Sequence, residues 1–439
     1  MIKYKIKLIL ALTFFTLLYG CNESECAYDE GEQSCEPLGP NTERTGFTVV
    51  TCYASTPTGD VGVIYNTQNN SSAPKGDDWG NPSTGTAVSA LHPTNWKANE
   101  IGQVFGIAID KDENVYLSTY DYYNNLHINI SSTSTANARI YKCMPPLYTA
   151  VLLTNFPSTS ATHNEIGNIA YDKLNDQLFA TNLDDGKIYR INTTSGVVID
   201  SYDPWSADTG GIGDGIVAQD ERVWAIGVNY ESNTSKLYFP RVTGTTRSMY
   251  SLTLTSVGGF PSTGSEVVEF SNVPGIQDKI SDIAFSSDTN KILISERNNP
   301  HKAIVMSYTR SGSAWSFDKQ FFVGGFHGPS INGGNSAGGV DFAYKERNGN
   351  IDAGCDEFFW STVNFADALN VGDATGSKVY GIQGIDFNGN NATNYTPASG
   401  ANSNTDLFID LNGTYSTIDK NGVGDVEVFD ADMCFCLTN

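Results

Sequence analysis

The sequence predicts an all-β fold, a six-bladed β-propeller, on three observations. Beyond residue 45 helical periodicity is nearly absent, and short apolar or alternating runs end in Gly, Asn and Asp, the pattern of strands and turns. One phrase, a small or acidic residue leading an apolar strand into a polar turn, recurs six times at intervals of about 45 to 85 residues, the spacing of four-stranded blades. The last copy runs out of chain two strands short, while the N-terminal segment offers two strands with no inner strand before them.

The elements follow in chain order. Lys3, Lys5 and Lys7 precede an apolar run from Leu8 to Tyr19, too short for a membrane span and suited to a signal peptide over 1–20. Leu18-Tyr19-Gly20-Cys21 resembles the bacterial lipobox. That resemblance implies cleavage before Cys21, acylation of that residue, and a chain anchored by lipid alone. The acidic "CNESE" that follows resembles the surface-export signal of Bacteroidetes lipoproteins, which implies an outer-membrane or cell-surface location. Residues 21–45, polar and rich in Cys, Pro, Gly and Glu, read as a flexible tether. Residues 46–439 read as one propeller domain, since a ring of repeats can exceed the usual size of a single core.

Within the domain, "GFTVVTCYA" (46–54) and "DVGVIYN" (60–66) supply outer strands. The repeats are "FGIAIDKDENVYLSTYD" (105–121), the stretch 167–203, "GDGIVAQDERVWAIGVNY" (213–230), "SDIAFSSDTNKILISER" (281–297), the stretch 340–364 and "GDVEVFDADMCFC" (424–436). The copy at 167–203 shows four strands, 168–172, 177–181, 187–191 and 196–202. Closure is expected from C-terminal inner strands and N-terminal outer strands. It would lay Cys52 beside Cys434 or Cys436 at disulfide distance and staple the seam. A seventh blade in the long loops is the alternative. The repeats resemble the superfamily of NHL-repeat, Tol-type and gluconolactonase-like propellers over about 46–436, which implies the fold and leaves the activity open.

Aligned on their inner strands, the six copies place Gly106, Asn168, Asp214, Asp282, Asp341 and Asp425 at one position. Inner strands line the central tunnel, so four carboxylates converge at one mouth. Their repulsion must be relieved by protonation, water or a cation. The resemblance to gluconolactonase-like enzymes implies a metal there. Asn168, Asp214, Asp282, Asp341 and Asp425 are then the ligands, and Ca²⁺ suits an oxygen-only set. That family uses a glutamate where only Glu165, out of register, is available. The competing expectation is structural: the side chains accept backbone N–H bonds from neighbouring blades.

All five histidines fall in connections on the face where the inner strands begin. His92, His163 and His301, with Trp96 and Trp205, are the expected binding face, since loops on a rigid scaffold carry function. His327, in a glycine-rich run near Asp341, is the candidate general base if there is chemistry. Formal charge is −23, and becomes −26 on removal of the three signal-peptide lysines. That charge excludes phosphate-driven nucleic-acid binding. Zinc spacing, a phosphate loop, a nucleophile elbow and a haem motif are absent from the sequence, so no nucleotide, haem or zinc is expected. The leading expectation is a lipid-anchored module that binds a protein or glycan through that face. The alternatives are a calcium-dependent, lactonase-like hydrolase and a structural subunit of an extracellular assembly.

Overall fold

The computed structural model describes residues 46–76, 78–80, 88–120, 138–156, 165–205, 217–275, 279–297, 302–321, 323–324, 334–347, 350–351, 356–366, 379–388, 406–411 and 422–429. Six sheets, antiparallel but for a short parallel pairing of Lys302–Ala303 with Gly334 and Asn335 in blade 5, are arranged as the blades of a propeller, with almost no helix. Blade 1 comprises Val104–Ile109, Val115–Thr119, Arg139–Met144 and Thr149–Asn155. Blade 2 is Ile166–Asp172, Gln177–Asn182, Ile188–Asn192 and Val198–Tyr202, close to the four strands expected. Blade 3 is Gly227–Glu231, Thr234–Thr243, Thr246–Thr253 and Val267–Ser271. Ile280–Phe285, Lys291–Glu296, Val305–Ser311 and Ala314–Phe321 make blade 4. Gly334–Ala343, Phe358–Ala366, Val379–Asp386 and Leu407–Asp410 make blade 5. Blade 6 joins the chain ends, with Val423–Val428 inside and Phe47–Cys52, Gly62–Asn66 and Ser89–Leu91 outside it.

These strands read as nearly continuous apolar runs because each sheet is covered on both faces. Six hydrophobic clusters each fill one gap between neighbouring blades. Between blades 5 and 6, for example, Trp360, Ile382 and Ile409 pack on Val50, Val63 and Val426. A blade therefore has no stable face of its own, and the ring is the unit that buries apolar surface.

Two details differ from expectation. At the seam, one C-terminal strand, not two, lies inside, and Phe47–Cys52 pairs with it directly. That register sets Cys52 opposite Val423, at the far end of the pair from Phe429. Cys52 is a free thiol whose Sγ donates to the Asp60 carbonyl at 3.4 Å; Cys434 and Cys436 lie outside the described residues. In blade 3, the inner strand is Gly227–Glu231, not the run that begins at Asp214. Its two-residue hairpin, Ser232-Asn233, has both residues at positive φ (50° and 60°), the turn whose twist matches a tight β-hairpin. That hairpin fixes which pair of strands is innermost. Asp214 falls outside the described residues.

Candidate functional site

Each inner strand except that of blade 3 shows a register shift near its start: between Val104 and Ile107, Ile166 and Ile169, Ile280 and Asp282, Ser336 and Val340, and opposite Val50 to Cys52. A bulge frees backbone N–H groups from the ladder, and when buried they need new acceptors. A hydroxyl on the second strand takes one. Asn168 N donates to Thr181 Oγ1 (3.0 Å), Gly339 N to Thr362 Oγ1 (2.8 Å) and Asp425 N to Thr51 Oγ1 (2.7 Å). A carboxylate or carboxamide takes the next. Asp282 accepts from its own neighbour Ile283 N (2.8 Å) and from Val340 N of blade 5 (2.7 Å). Asp425 accepts from Val426 N (3.0 Å) and from Ile107 N of blade 1 (3.2 Å).

This pattern identifies the equivalent positions as Gly106, Asn168, Ala225, Asp282, Gly339 and Asp425, with Ala225 placed by counting back from the blade 3 hairpin. Where the residue is glycine, the neighbouring blade lends its carboxylate. At Gly339 a Cβ would lie 2.7 Å from Asp425 Cα and 2.6 Å from Val426 N, so glycine is needed for the close approach. Asp341 stands two residues further along, on the same face but one layer deeper. The structural expectation for the ring thus describes Asp282 and Asp425 at this level, while Asp341 does not belong to it.

Asn168 Oδ1 accepts from Ile169 N (2.7 Å), which turns Nδ2 toward Asp282 Oδ1 and Ser281 O, both at 3.0 Å. Burial, then the neighbouring Asp425, holds the Asp282 carboxyl well above the ordinary carboxylate range. Burial likewise lifts Asp425 to about 7, against the hydrogen bonds it receives from Asp282, Val426 and Ile107. Each carboxyl thus keeps its proton to a higher pH than an exposed one does. This donor set does not fit Ca²⁺: the carboxamide presents N–H₂ rather than oxygen, and the carboxylates are spent on amides. Among the described residues no group of three or more His, Cys, Asp or Glu side chains is placed to hold a metal.

On the side where the inner strands begin, the tunnel is stopped. Tyr53, Phe105, Tyr120 and Trp224, from blades 6, 1, 1 and 3, meet with Tyr120 at 5.4 to 6.4 Å from each of the others. Arg297 of blade 4 lies 5.2 and 5.3 Å over Tyr53 and Phe105 and donates to the Val423 carbonyl at 2.8 Å. Lys279 lies 4.2 Å over Trp224. Contacts between blades on opposite sides of the ring place this plug on the axis.

On the other side the tunnel opens as a funnel of about 240 Å³. Its wall at the second layer is Ala108, Ala170, Gly227 and Ala284 on blades 1 to 4, and Asp341 and Glu427 on blades 5 and 6. Small residues on four blades make the space, and two carboxyls line one side of it. Asp341 Oδ2 accepts from Val428 N at 2.8 Å. Burial, then Asp341, then Asp282 and Asp425 above, raise the Glu427 carboxyl well beyond its ordinary range, and it hydrogen-bonds to Asp341. Tyr171, Tyr230 and Phe285 line the wall nearer the mouth, with Asp110, Glu113, Asp356, Lys111 and Lys173. Counting the second-layer pair, five carboxyls face two lysines.

Glu427 escaped the sequence reading because alanine or glycine fills its position in four other copies. Two residues back, Asp425 drew the alignment. The histidine-bearing face fares differently. His92 is exposed and its Nδ1 lies 3.3 Å from Asp60 Oδ2. Trp96 is buried, its Nε1 donating to the Tyr148 carbonyl at 2.9 Å, and Trp205 is buried under Arg241, 4.0 Å away. Neither tryptophan offers a surface. Glu165 is buried just before the inner strand of blade 2 and is not on the ring. His163, His301, His327 and Cys21 lie outside the described residues.

No family model matches the sequence, and no curated protein matches it. Among solved structures, a protein from Lactobacillus plantarum is similar at 9% identity and TM-score 0.44, over 87% of this chain and 99% of that one. A nidogen/laminin complex is similar at 11% identity and TM-score 0.43, over 87% and 97%. A Bacteroides fragilis NCTC 9343 protein, provisionally described as a 6-phosphogluconolactonase, is similar at 9% identity and TM-score 0.42, over 89% and 99%. These likenesses concern fold alone.

Proposed function

We propose that this chain is an exported, lipid-anchored propeller that acts as a binding module, with a protein or glycan ligand engaging the funnel at the ends of the inner strands. The observation that carries this reading is the funnel itself. It is a preformed concave site with aromatic and charged walls, the usual form of a ligand site, and the plug leaves it a single mouth. Exported placement rests on the signal-like N-terminus and Cys21; among the described residues no helix is long and apolar enough to cross a membrane.

A second reading, hydrolysis, draws on the Asp341–Glu427 pair, since a raised carboxyl beside a second one is a common acid–base arrangement. A phosphorylated sugar substrate suits this funnel poorly, because its lining carries more carboxyls than lysines. A cavity-filling substitution, Ala170→Trp, separates the readings from a passive scaffold. Parent and variant are compared on a glycan array, on a panel of immobilised extracellular proteins, and in a lactone-hydrolysis assay. Binding that disappears in the variant at unchanged Tm is the expected result. Ligands retained in full by the variant, or turnover that the variant abolishes, would sink the binding reading. For the anchor, Cys21→Ser is expected to move the protein from the membrane fraction to the soluble fraction. A wild-type protein that takes up no labelled palmitate would remove that part.

A further inference from the structure

We infer that the group accepted by the funnel is a cation, a guanidinium or ammonium side chain of a protein ligand, seated against Asp341 and Glu427. The inference rests on the funnel being a binding site and names what it binds. The volume, about 240 Å³, falls below the usual range for whole small-molecule ligands and suits one inserted side chain. The lining is asymmetric at the deepest level: Ala108, Ala170, Gly227 and Ala284 give bare alkyl or backbone surface, and every polar side chain there is a carboxyl, Asp341 or Glu427. An inserted alkyl stem meets the first set and its charged head the second. The head also exchanges for the proton that the raised Glu427 carboxyl holds beside Asp341. A planar guanidinium offers paired donors to adjacent carboxylates.

The walls on the way in are of the same kind. Tyr171, Tyr230 and Phe285 present aromatic surface, and aromatic faces attract cations. Lys173 already lies 5.0 Å over the Tyr230 ring, which shows that this ring accepts an ammonium. The charged groups facing the pair are Asp282 and Asp425 one layer above, and Asp110, Glu113, Asp356, Lys111 and Lys173 towards the mouth. Their sum is negative, so the field inside the funnel favours a cation over an anion or a neutral sugar.

The test is calorimetric titration of the mature protein with acetyl-Gly-Arg-Gly-amide and with the same peptide carrying citrulline, which keeps the shape and removes the charge. The arginine peptide is expected to bind at least tenfold more tightly. Its affinity should rise with pH, as Glu427, whose carboxyl is raised above its ordinary range, gives up its proton. Asp341→Asn and Glu427→Gln should each weaken it tenfold or more. Ala170→Leu, which fills the cavity and leaves both carboxyls intact, should weaken it as well, so the result does not hang on one variant folding. Equal binding of the two peptides, or arginine binding indifferent to Glu427→Gln and Ala170→Leu, overturns the inference. If laminaritetraose binds the parent and not Ala170→Leu while the arginine peptide does not bind, the cation is wrong and the funnel remains the binding site.

Discussion

Asp282 and Asp425 show how a buried acid can be required by the backbone rather than by a ligand. Each serves two amides, one of its own strand and one of the next blade. Removing such an acceptor leaves buried N–H groups unsatisfied, at about 1–3 kcal/mol each. The pair also carries a pH signature. Asp425 is raised from an ordinary value of 3.8 to about 7, and Asp282 is raised in the same direction. A carboxyl raised in the folded state binds its proton more tightly there than in the unfolded chain. Its stabilisation is full below 3.8 and is lost as pH rises through about 7. Thermal melting should therefore fall between pH 5 and pH 8 relative to the double variant Asp282→Asn/Asp425→Asn, in which this dependence is absent. The single variant Asp425→Asn should lose about 1–3 kcal/mol at pH 5, because its amide turns a donor toward one of the two N–H groups. Parallel pH profiles for parent and double variant would show that these two carboxyls are not raised in the folded protein. From sequence, the shared position of Asn168, Asp282 and Asp425 was legible, since each immediately precedes Ile or Val. Asp341 was misplaced by two residues, a slip that keeps the side chain on the tunnel face and so looks right in an alternating pattern.

At the level of strands, the repeat is a bulge with its two satisfiers, a hydroxyl on the second strand and a carboxylate at the ring. The recurring Ser and Thr of "VYLST", "LFATN" and "TVVTC" were visible in the sequence as strand residues. Their partnership with the ring position was not, because it depends on a register shift that no local pattern announces. Thr51 does this twice over, accepting from Asp425 N and donating to the Phe105 carbonyl at 2.7 Å, so it ties blade 6 to blade 1. Thr51→Val is expected to cost about 1–3 kcal/mol, seen as a lower denaturant midpoint with unchanged m-value. Gly339→Ala should cost a similar ~1–3 kcal/mol by overpacking against Asp425 and the blade 6 backbone. Gly244→Ala, where no atom stands within 4 Å of the added carbon although φ is +61°, is the comparison that reports backbone strain alone. Equal losses at the two glycines would show that close packing at the ring is not what Gly339 provides. Blade 3 was the least legible blade. Its Ser232-Asn233 hairpin lacks the glycine that usually marks such a turn, and an unrelated Asp-Gly-Ile-Val run upstream mimicked an inner strand.

For the whole molecule, the ring is held shut by a single strand pairing between residues at opposite ends of the chain, Val423–Val428 on Phe47–Cys52. Closing so long a loop costs conformational entropy that grows only logarithmically with length, and six inter-blade cores repay it, with no covalent staple among the described residues. The native thiols described do not supply one: burial lifts Cys52 to about 12 and pushes the Cys143 thiol higher still, so both stay protonated and poorly reactive. A crosslink placed at the seam should therefore add stability beyond what the described residues supply. Val50 and Val426 are directly opposed, fully buried and packed in one cluster. By the alternation set by the neighbouring Phe429 N to Phe47 O bond, they form the closer, non-hydrogen-bonded type of pair, whose Cα separation of about 4.5 Å permits a disulfide. The double variant Val50→Cys/Val426→Cys, oxidised and verified by mass spectrometry of the linked peptides, constrains some 375 residues of unfolded chain, for which the loop-entropy account gives an upper limit of roughly 5–6 kcal/mol. Part of that gain is offset by the methyl groups lost from the core. The expected outcome is a rise in Tm that dithiothreitol reverses, with the reduced double variant melting below the parent. Crosslinked protein that melts no higher than its reduced form would mean that the seam is already closed in the unfolded ensemble, or that it opens last, and that the ring fails first at one of its six inter-blade interfaces.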